Sequence, residues 1–139
     1  MGTAVRNGSV QELLRLVEEE GRTLSACNKF GESLAHLACR KGSADVVATI
    51  LRHGGSLTRC DDLGRVPAHD TCWESRPRWD IVQLHLEADA ALLLTRDARG
   101  WTPLRYVKRA NWAAWRAFLD AVKDRYWPAR GGDGTCDCT

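Results

Sequence analysis

An eight-residue box, written three times, constrains this chain more than any other feature. Gly31-Glu32-Ser33-Leu34-Ala35-His36-Leu37-Ala38 is followed 33 residues later by Gly64-Arg65-Val66-Pro67-Ala68-His69-Asp70-Thr71. Gly100-Trp101-Thr102-Pro103-Leu104-Arg105-Tyr106-Val107 follows after a further 36. Read as columns, the copies give Gly, a variable residue, Ser/Val/Thr, Leu/Pro/Pro, Ala/Ala/Leu and His/His/Arg. A period of this length means that one supersecondary unit is being stacked, because such a unit cannot bury its apolar face alone.

The residues between the boxes spell out the units. Residues 4–21 read as a truncated first unit, since Ala4-Val5-Arg6-Asn7-Gly8-Ser9 aligns with Ala38-Cys39-Arg40-Lys41-Gly42-Ser43. Leu13, Leu16 and Val17 make an apolar stripe, Glu18 to Glu20 lie opposite, and Gly21 ends the helix. In the second unit Ser33 caps a helix that runs to Lys41 and is broken at Gly42. A second helix opens at Asp45, turns Val46, Val47, Ile50 and Leu51 inward, and stops at Gly54-Gly55. Asp61-Asp62-Leu63-Gly64 supplies turn chemistry on the way to the third unit.

In the third unit Pro67 suits the first helical position, and the helix is predicted to run to about Trp73. Pro77 forces a longer loop before a second helix, Trp79 to Glu87, with Ile81, Val82 and Leu86 inward. His85 falls where Ile50 stood, either as a core imidazole with a hydrogen-bonded tip or as the sign of a slightly rotated helix. Leu92-Leu93-Leu94 leads to the fourth unit, whose first helix is predicted to start at Thr102-Pro103. Its last helix carries Trp112, Trp115, Phe118, Leu119, Val122 and Tyr126 at helical spacing, ends at Trp127-Pro128, and seals the stack. Residues 131–139 are Gly-rich and polar and read as a disordered tail.

Length and composition bound the alternatives. A chain of 139 residues suits one domain, and 44% hydrophobic with 27% charged residues is ordinary for a globular protein. No apolar run approaches the ~18 residues of a membrane span, and no secretory start is present. Met1 to Arg6 departs from a myristoylation signal at Arg6. The net charge of +2 is uneven, because residues 96–130 hold nine Arg/Lys against three Asp. That basic end either steers an acidic partner or is a solvated face.

The six cysteines follow the repeat rather than a disulfide framework. Cys27 and Cys60 are 33 residues apart, as are Cys39 and Cys72, so each pair occupies one position in successive units. Stacked helices lie roughly 8–10 Å apart, whereas a disulfide needs Cα atoms within about 7 Å. Free thiols in half-buried slots are therefore expected, in a reducing compartment, cytoplasmic or nuclear. Cys136-Asp137-Cys138-Thr139 is a poor prenylation signal and half of a zinc tetrahedron at best.

With these residues in view, the chain resembles an ankyrin-repeat protein over roughly residues 4–127. The resemblance rests on the three boxes, on Gly42-Ser43-Ala44-Asp45-Val46-Val47-Ala48-Thr49-Ile50-Leu51-Arg52-His53-Gly54, and on the Asn28/Asp61/Asp97 column. It implies an all-α solenoid of stacked antiparallel helix pairs with projecting β-hairpin-like fingers. The units would be about 1–28, 29–61, 62–97 and 98–128, with 129–139 as the tail. It further implies protein–protein recognition through the finger tips and the concave face of the first helices, without catalysis, metal or cofactor. Leu34, Val66 and Arg105 depart from the family's box proline, threonine and histidine. His36 and His69 match the box histidine and so read as structural hydrogen-bonders.

Core positions serve neighbouring units, which leaves tips and helix edges for a partner. Counting from each box glycine, the tips offer Lys29, Phe30 and Glu32, then Asp62, Leu63 and Arg65, then Arg99 and Trp101 beside Ala98. The ends of the first helices add Arg40, Lys41, Trp73, Glu74 and Arg109. Trp and Arg most often carry interface energy, although Phe30 and Leu63 have the plainer option of packing finger to finger.

Cys39 with His36, and Cys72 with His69, place a thiol and an imidazole on one helix face, but no oxyanion or phosphate loop accompanies them. Nucleic-acid binding lacks a reading motif. The expected function is thus a non-catalytic module, most simply a monomer, that binds one or more partner proteins. Direct inhibition of an enzyme such as a kinase is the alternative.

Overall fold

The computed structural model describes residues 9–20, 27–41 and 43–128. Its helices are α1 (Val10–Glu20), α2 (Leu34–Lys41), α3 (Ala44–Arg52), α4 (Pro67–Trp73), α5 (Trp79–Ala88) and α6 (Trp112–Tyr126). Short 3₁₀ turns occupy Ala90–Leu94, Pro103–Tyr106 and Arg109–Asn111. Among the described residues the chain is all-α, with one isolated bridge between Cys27 and Ser33 and no strand. None of these helices is long and apolar enough to cross a membrane.

The helices form two rows. α2 packs on α4, and α4 on the turn Pro103–Tyr106; behind them α1 packs on α3 and α3 on α5. The core lies between the rows, where Leu13, Ala35, Ala38, Val46, Ile50, Ala68, Ile81, Val82 and Leu93 are buried. α6 closes the array through Trp115, whose ring meets Trp79 edge-on at 5.0 Å, while Phe118 stacks on Trp79 at 4.5 Å.

Local chemistry starts each helix where the sequence predicts. The Ser9 hydroxyl accepts from the Glu12 N–H at 3.2 Å, and the Ser43 hydroxyl from the Val46 N–H at 3.3 Å, each satisfying an orphan donor of its helix. Gly54 has φ +92°, and a Cβ on Gly55 would lie 2.3 Å from Ile50 Cγ2, so this glycine pair is needed where α3 ends. Val46, Val47 and Ile50 are buried as expected, and Leu51 packs against the same core at its half-buried edge.

Three identical turns link the units. Asn28, Asp61 and Asp97 each accept from two backbone N–H groups through one side-chain oxygen: Phe30 and Glu32, Leu63 and Arg65, Arg99 and Trp101. The following glycines, Gly31, Gly64 and Gly100, all take φ between +74° and +79°, which closes the turn back onto the Asx carbonyl. Consecutive turns are joined by backbone, with the Asp62 N–H donating to the Phe30 carbonyl at 3.0 Å and the Ala98 N–H to the Leu63 carbonyl at 2.8 Å.

The fourth box departs from the predicted α-helix. Pro103–Tyr106 is a 3₁₀ turn with no side-chain cap from Thr102, and a second short turn, Arg109–Asn111, follows. The reason lies in the box itself. His36 and His69 each accept the N–H of the residue three before through Nδ1, an anchor that Arg105, a pure donor, cannot provide. Arg105 instead lies over the Trp101 ring at 4.4 Å, and the Trp112 indole N–H donates to the Val107 carbonyl at 3.0 Å. Arg109 consequently opens the short 3₁₀ turn Arg109–Asn111 and lies over Trp112 rather than at the end of a first helix.

The cysteine expectation also needs correction. Cys27 and Cys60 are exposed, and Cys39 and Cys72 fully buried, and none of the four forms a disulfide among the described residues. The columns hold, but none is half-buried: the first pair precedes the turns, and the second faces inward from α2 and α4. Residues 4–8, Gly21, Gly42, and the tail with Cys136 and Cys138 lie outside the described residues.

Candidate functional site

The two box histidines are spent on scaffold. A carbonyl only accepts, so His36 Nε2 must donate to the Arg65 carbonyl at 2.7 Å, and His69 Nε2 to the Trp101 carbonyl at 3.0 Å. Nδ1 of each ring then accepts from Ser33 and Val66 N–H groups, at 3.1 and 3.0 Å. Both rings are thereby fixed as neutral Nε2–H tautomers, each tying one unit to the turn of the next. The buried thiols do not pair with them as nucleophiles. Burial pushes the Cys39 thiol up to about 12 and raises Cys72 likewise.

His85 is fully buried, with Nε2 at 2.9 Å from Thr71 Oγ1 and 3.6 Å from Cys39 Sγ. It is thus a core imidazole with one hydrogen-bonded tip, and its buried Nδ1 has no hydrogen-bond partner among the described residues. Desolvation lowers its pKa to about 4.

The frame shapes a concave groove of about 290 Å³, lined by Arg40, Arg65, His69, Asp70, Trp73, Arg99 and Tyr106. Arg40 comes from the last turn of α2; His69, Asp70 and Trp73 come from α4; Arg65 and Arg99 stand on adjacent turns; and Tyr106 comes from the 3₁₀ turn. Each arginine is held from behind. Arg40 Nη1 donates to Glu32 at 2.7 Å and reaches Asp70 at 3.5 Å, and Arg65 Nε donates to Asp61 at 2.8 Å. Arg99 Nη2 donates to the Tyr106 hydroxyl at 3.0 Å, and its guanidinium lies 4.6 Å from the Trp101 ring. The Tyr106 hydroxyl in turn donates to Asp97. Burial pushes the Asp97 carboxyl up, but that hydrogen bond and those from Trp101 and Arg99 N–H groups outweigh it and hold it below the ordinary carboxylate range.

Asp70 is the one acid lining the groove. Desolvation raises its pKa to about 7, against the lowering pull of Arg40 and Arg65.

The predicted contact residues therefore divide. Arg40, Arg65, Trp73 and Arg99 meet in the groove, and Glu32 holds Arg40 at its edge. Phe30 and Leu63 stand 56% and 55% exposed at their tips, so finger-to-finger packing does not use them up. Lys29 lies over Phe30 at 5.1 Å, and Asp62 is exposed. Trp101 is half-buried between Arg99 and Arg105, so it presents an edge rather than a free indole. Lys41, Glu74 and Arg109 lie off the groove lining.

Asp70 and Tyr106 were not anticipated as groove residues. Their signal was in the box: the column that follows the His/His/Arg column reads Leu37, Asp70, Tyr106, and so fails to repeat.

The chain is similar to protein fem-1 homolog A-like of Mus musculus, at 33% identity over 89 residues, which covers 64% of this chain and 13% of that protein. It is similar as well to tyrosine-protein kinase HTK16 of Hydra vulgaris, at 29% identity over 118 residues, 83% of this chain and 14% of that protein. The chain thus spans about one seventh of the length of the curated relatives it matches. No family model matches it.

Proposed function

We propose that this chain is a protein-interaction module of the ankyrin-repeat kind, and that its partner docks on the groove and the turn tips beside it. The observation that carries the reading is the threefold turn, with His36 and His69 each bonded to the next turn's backbone. An array tied in this way is a stiff surface, and a stiff surface loses little entropy on binding. Around the groove Trp73, at 52%, and Arg99 are exposed while Arg40, Arg65 and Tyr106 are half-buried, and Arg with aromatic side chains is the residue chemistry of interface anchors. Two relatives with unlike names, a fem-1 homolog and a tyrosine-protein kinase, each match the chain over about one seventh of their own length. That suits a portable binding unit better than the activity of either whole protein.

The test is affinity capture from cell lysate with the native chain and a Trp73→Ala/Arg99→Ala variant, matched by circular dichroism. The variant is expected to lose the captured proteins, because both anchors line one groove. Recovery of the same proteins at the same yield contradicts the docking site. If a captured enzyme loses activity on titration with the chain, direct inhibition describes the module better than a neutral adaptor does.

A further inference from the structure

The geometry points to the chemistry of the partner: the groove over Asp70 fits an acidic segment of a protein, with a Glu or Asp side chain entering among Arg40, Arg65 and Arg99. The inference rests on the binding-module reading above and deepens it.

Three guanidiniums and one carboxylate line the recess. Glu32 and Asp61, which steady Arg40 and Arg65, stand outside that lining, and Asp70 meets Arg40 Nη1 at 3.5 Å from within it, so each fork still has donors left over. Arg65 hydrogen-bonds through Nε, Arg40 through Nη1 and Arg99 through Nη2. Each planar fork carries five N–H donors, so several remain for the bidentate geometry that suits carboxylates. The preceding salt bridges and ring contacts hold the forks in place, which reduces the entropy lost when they engage. Trp73, with Lys108 over its ring at 5.1 Å, forms an apolar wall with a cationic outer edge, a surface for the segment's neighbouring residues.

Asp70 sets the sign of the pH dependence. The charged groups around it are Arg40 on α2, Glu32, Asp61, Arg65 and Arg99 on the turns, and Glu74 beside its own helix, with the neutral His69 ring and the Tyr106 hydroxyl completing the surroundings. An incoming carboxylate is repelled by ionised Asp70 and accepts a hydrogen bond from it when protonated. Because burial holds this acid near neutrality, binding an anion draws a proton onto it, and affinity rises as pH falls from 8 to 6. A cationic side chain docking on Asp70 requires the opposite slope.

The probe is fluorescein-labelled hexaglutamate, titrated by anisotropy at about 0.05 M salt, where screening is modest. Saturable binding is expected, weakened about tenfold in Arg65→Gln/Arg99→Gln and little changed in the charge-matched control Arg52→Gln/Arg125→Gln. Asp70→Asn is expected to bind more tightly than the native chain at pH 8 and to flatten the pH profile. The inference is overturned by absent binding, by equal or tighter binding of hexalysine, by preference for a phosphoserine peptide over hexaglutamate, by equal loss in the control, or by a pH slope that survives Asp70→Asn. Loss of hexaglutamate binding with partner capture intact counts against the acidic ligand alone. Capture that survives Trp73→Ala/Arg99→Ala counts against the docking site.

Discussion

Asp70 and His85 are two side chains whose burial opposes their charge, and they act on stability in opposite directions. The unfolded His85 takes up a proton near 6.5 and the folded one only near about 4. Acid therefore favours unfolding across that window, by about 3 kcal/mol from this group. Asp70 runs the other way. Its ordinary value is 3.8 and its folded value about 7, so between these the folded chain holds a proton that the unfolded chain has released. Raising pH through the window therefore costs stability. Asp70→Asn should accordingly be more stable than the native chain by about 2–4 kcal/mol near pH 7.5, with the advantage fading toward pH 4. Urea unfolding of both proteins at several pH values measures this. A difference that stays constant with pH would show that Asp70 is not desolvated in the folded chain.

At the scale of the element, the box decides whether a first helix forms. Ser33 both receives the His36 N–H at 3.4 Å and sits 2.9 Å from His36 Nδ1 through its hydroxyl, which closes a reciprocal cap on α2. Val66, at the same place in the next box, is buried and starts α4 with no side-chain cap, leaving the His69 half of the arrangement alone. Restoring the hydroxyl with Val66→Thr should stabilise the chain by about 0.5–1 kcal/mol in chemical unfolding, since the volume is nearly unchanged and His69 Nδ1 is at hand. A destabilised Val66→Thr would mean that burying the hydroxyl outweighs the cap at this site. Caps at α1 to α3, Pro67 at the start of α4, the Pro77 break before α5 and the apolar stripes between them make α1 to α5 readable in the sequence to within a residue or so. The first helix expected at Thr102-Pro103 was misread, because the consequence of Arg105 is tertiary: its stacking on Trp101 has no signature in a periodic pattern. The site was half legible. Arg40, Arg65, Trp73 and Arg99 stand out as variable residues in or beside the boxes, whereas Asp70 and Tyr106 lie inside a box at a position to which the sequence attaches no role.

Over the whole molecule, the repeat separates what is held from what is offered. The backbone bonds from Asp62 to Phe30 and from Ala98 to Leu63 fix the spacing of successive turns, and hence the distances between Arg65 and Arg99 at the groove. α6, with Trp115 buried against Trp79, ends the stack, and its outer face remains exposed at Ala113, Ala114, Arg116 and Ala117. The docking surface we propose is accordingly the turn side of the molecule, with its exposed tips and the guanidiniums of the groove. The most direct check is a map of backbone amide shifts in ¹⁵N-labelled chain on adding a captured partner. The shifts should concentrate at residues 29–32, 62–65 and 98–101 and along α4 from Asp70 to Trp73. Shifts confined to α6 and the outer faces of α3 and α5 would contradict the groove as the docking surface.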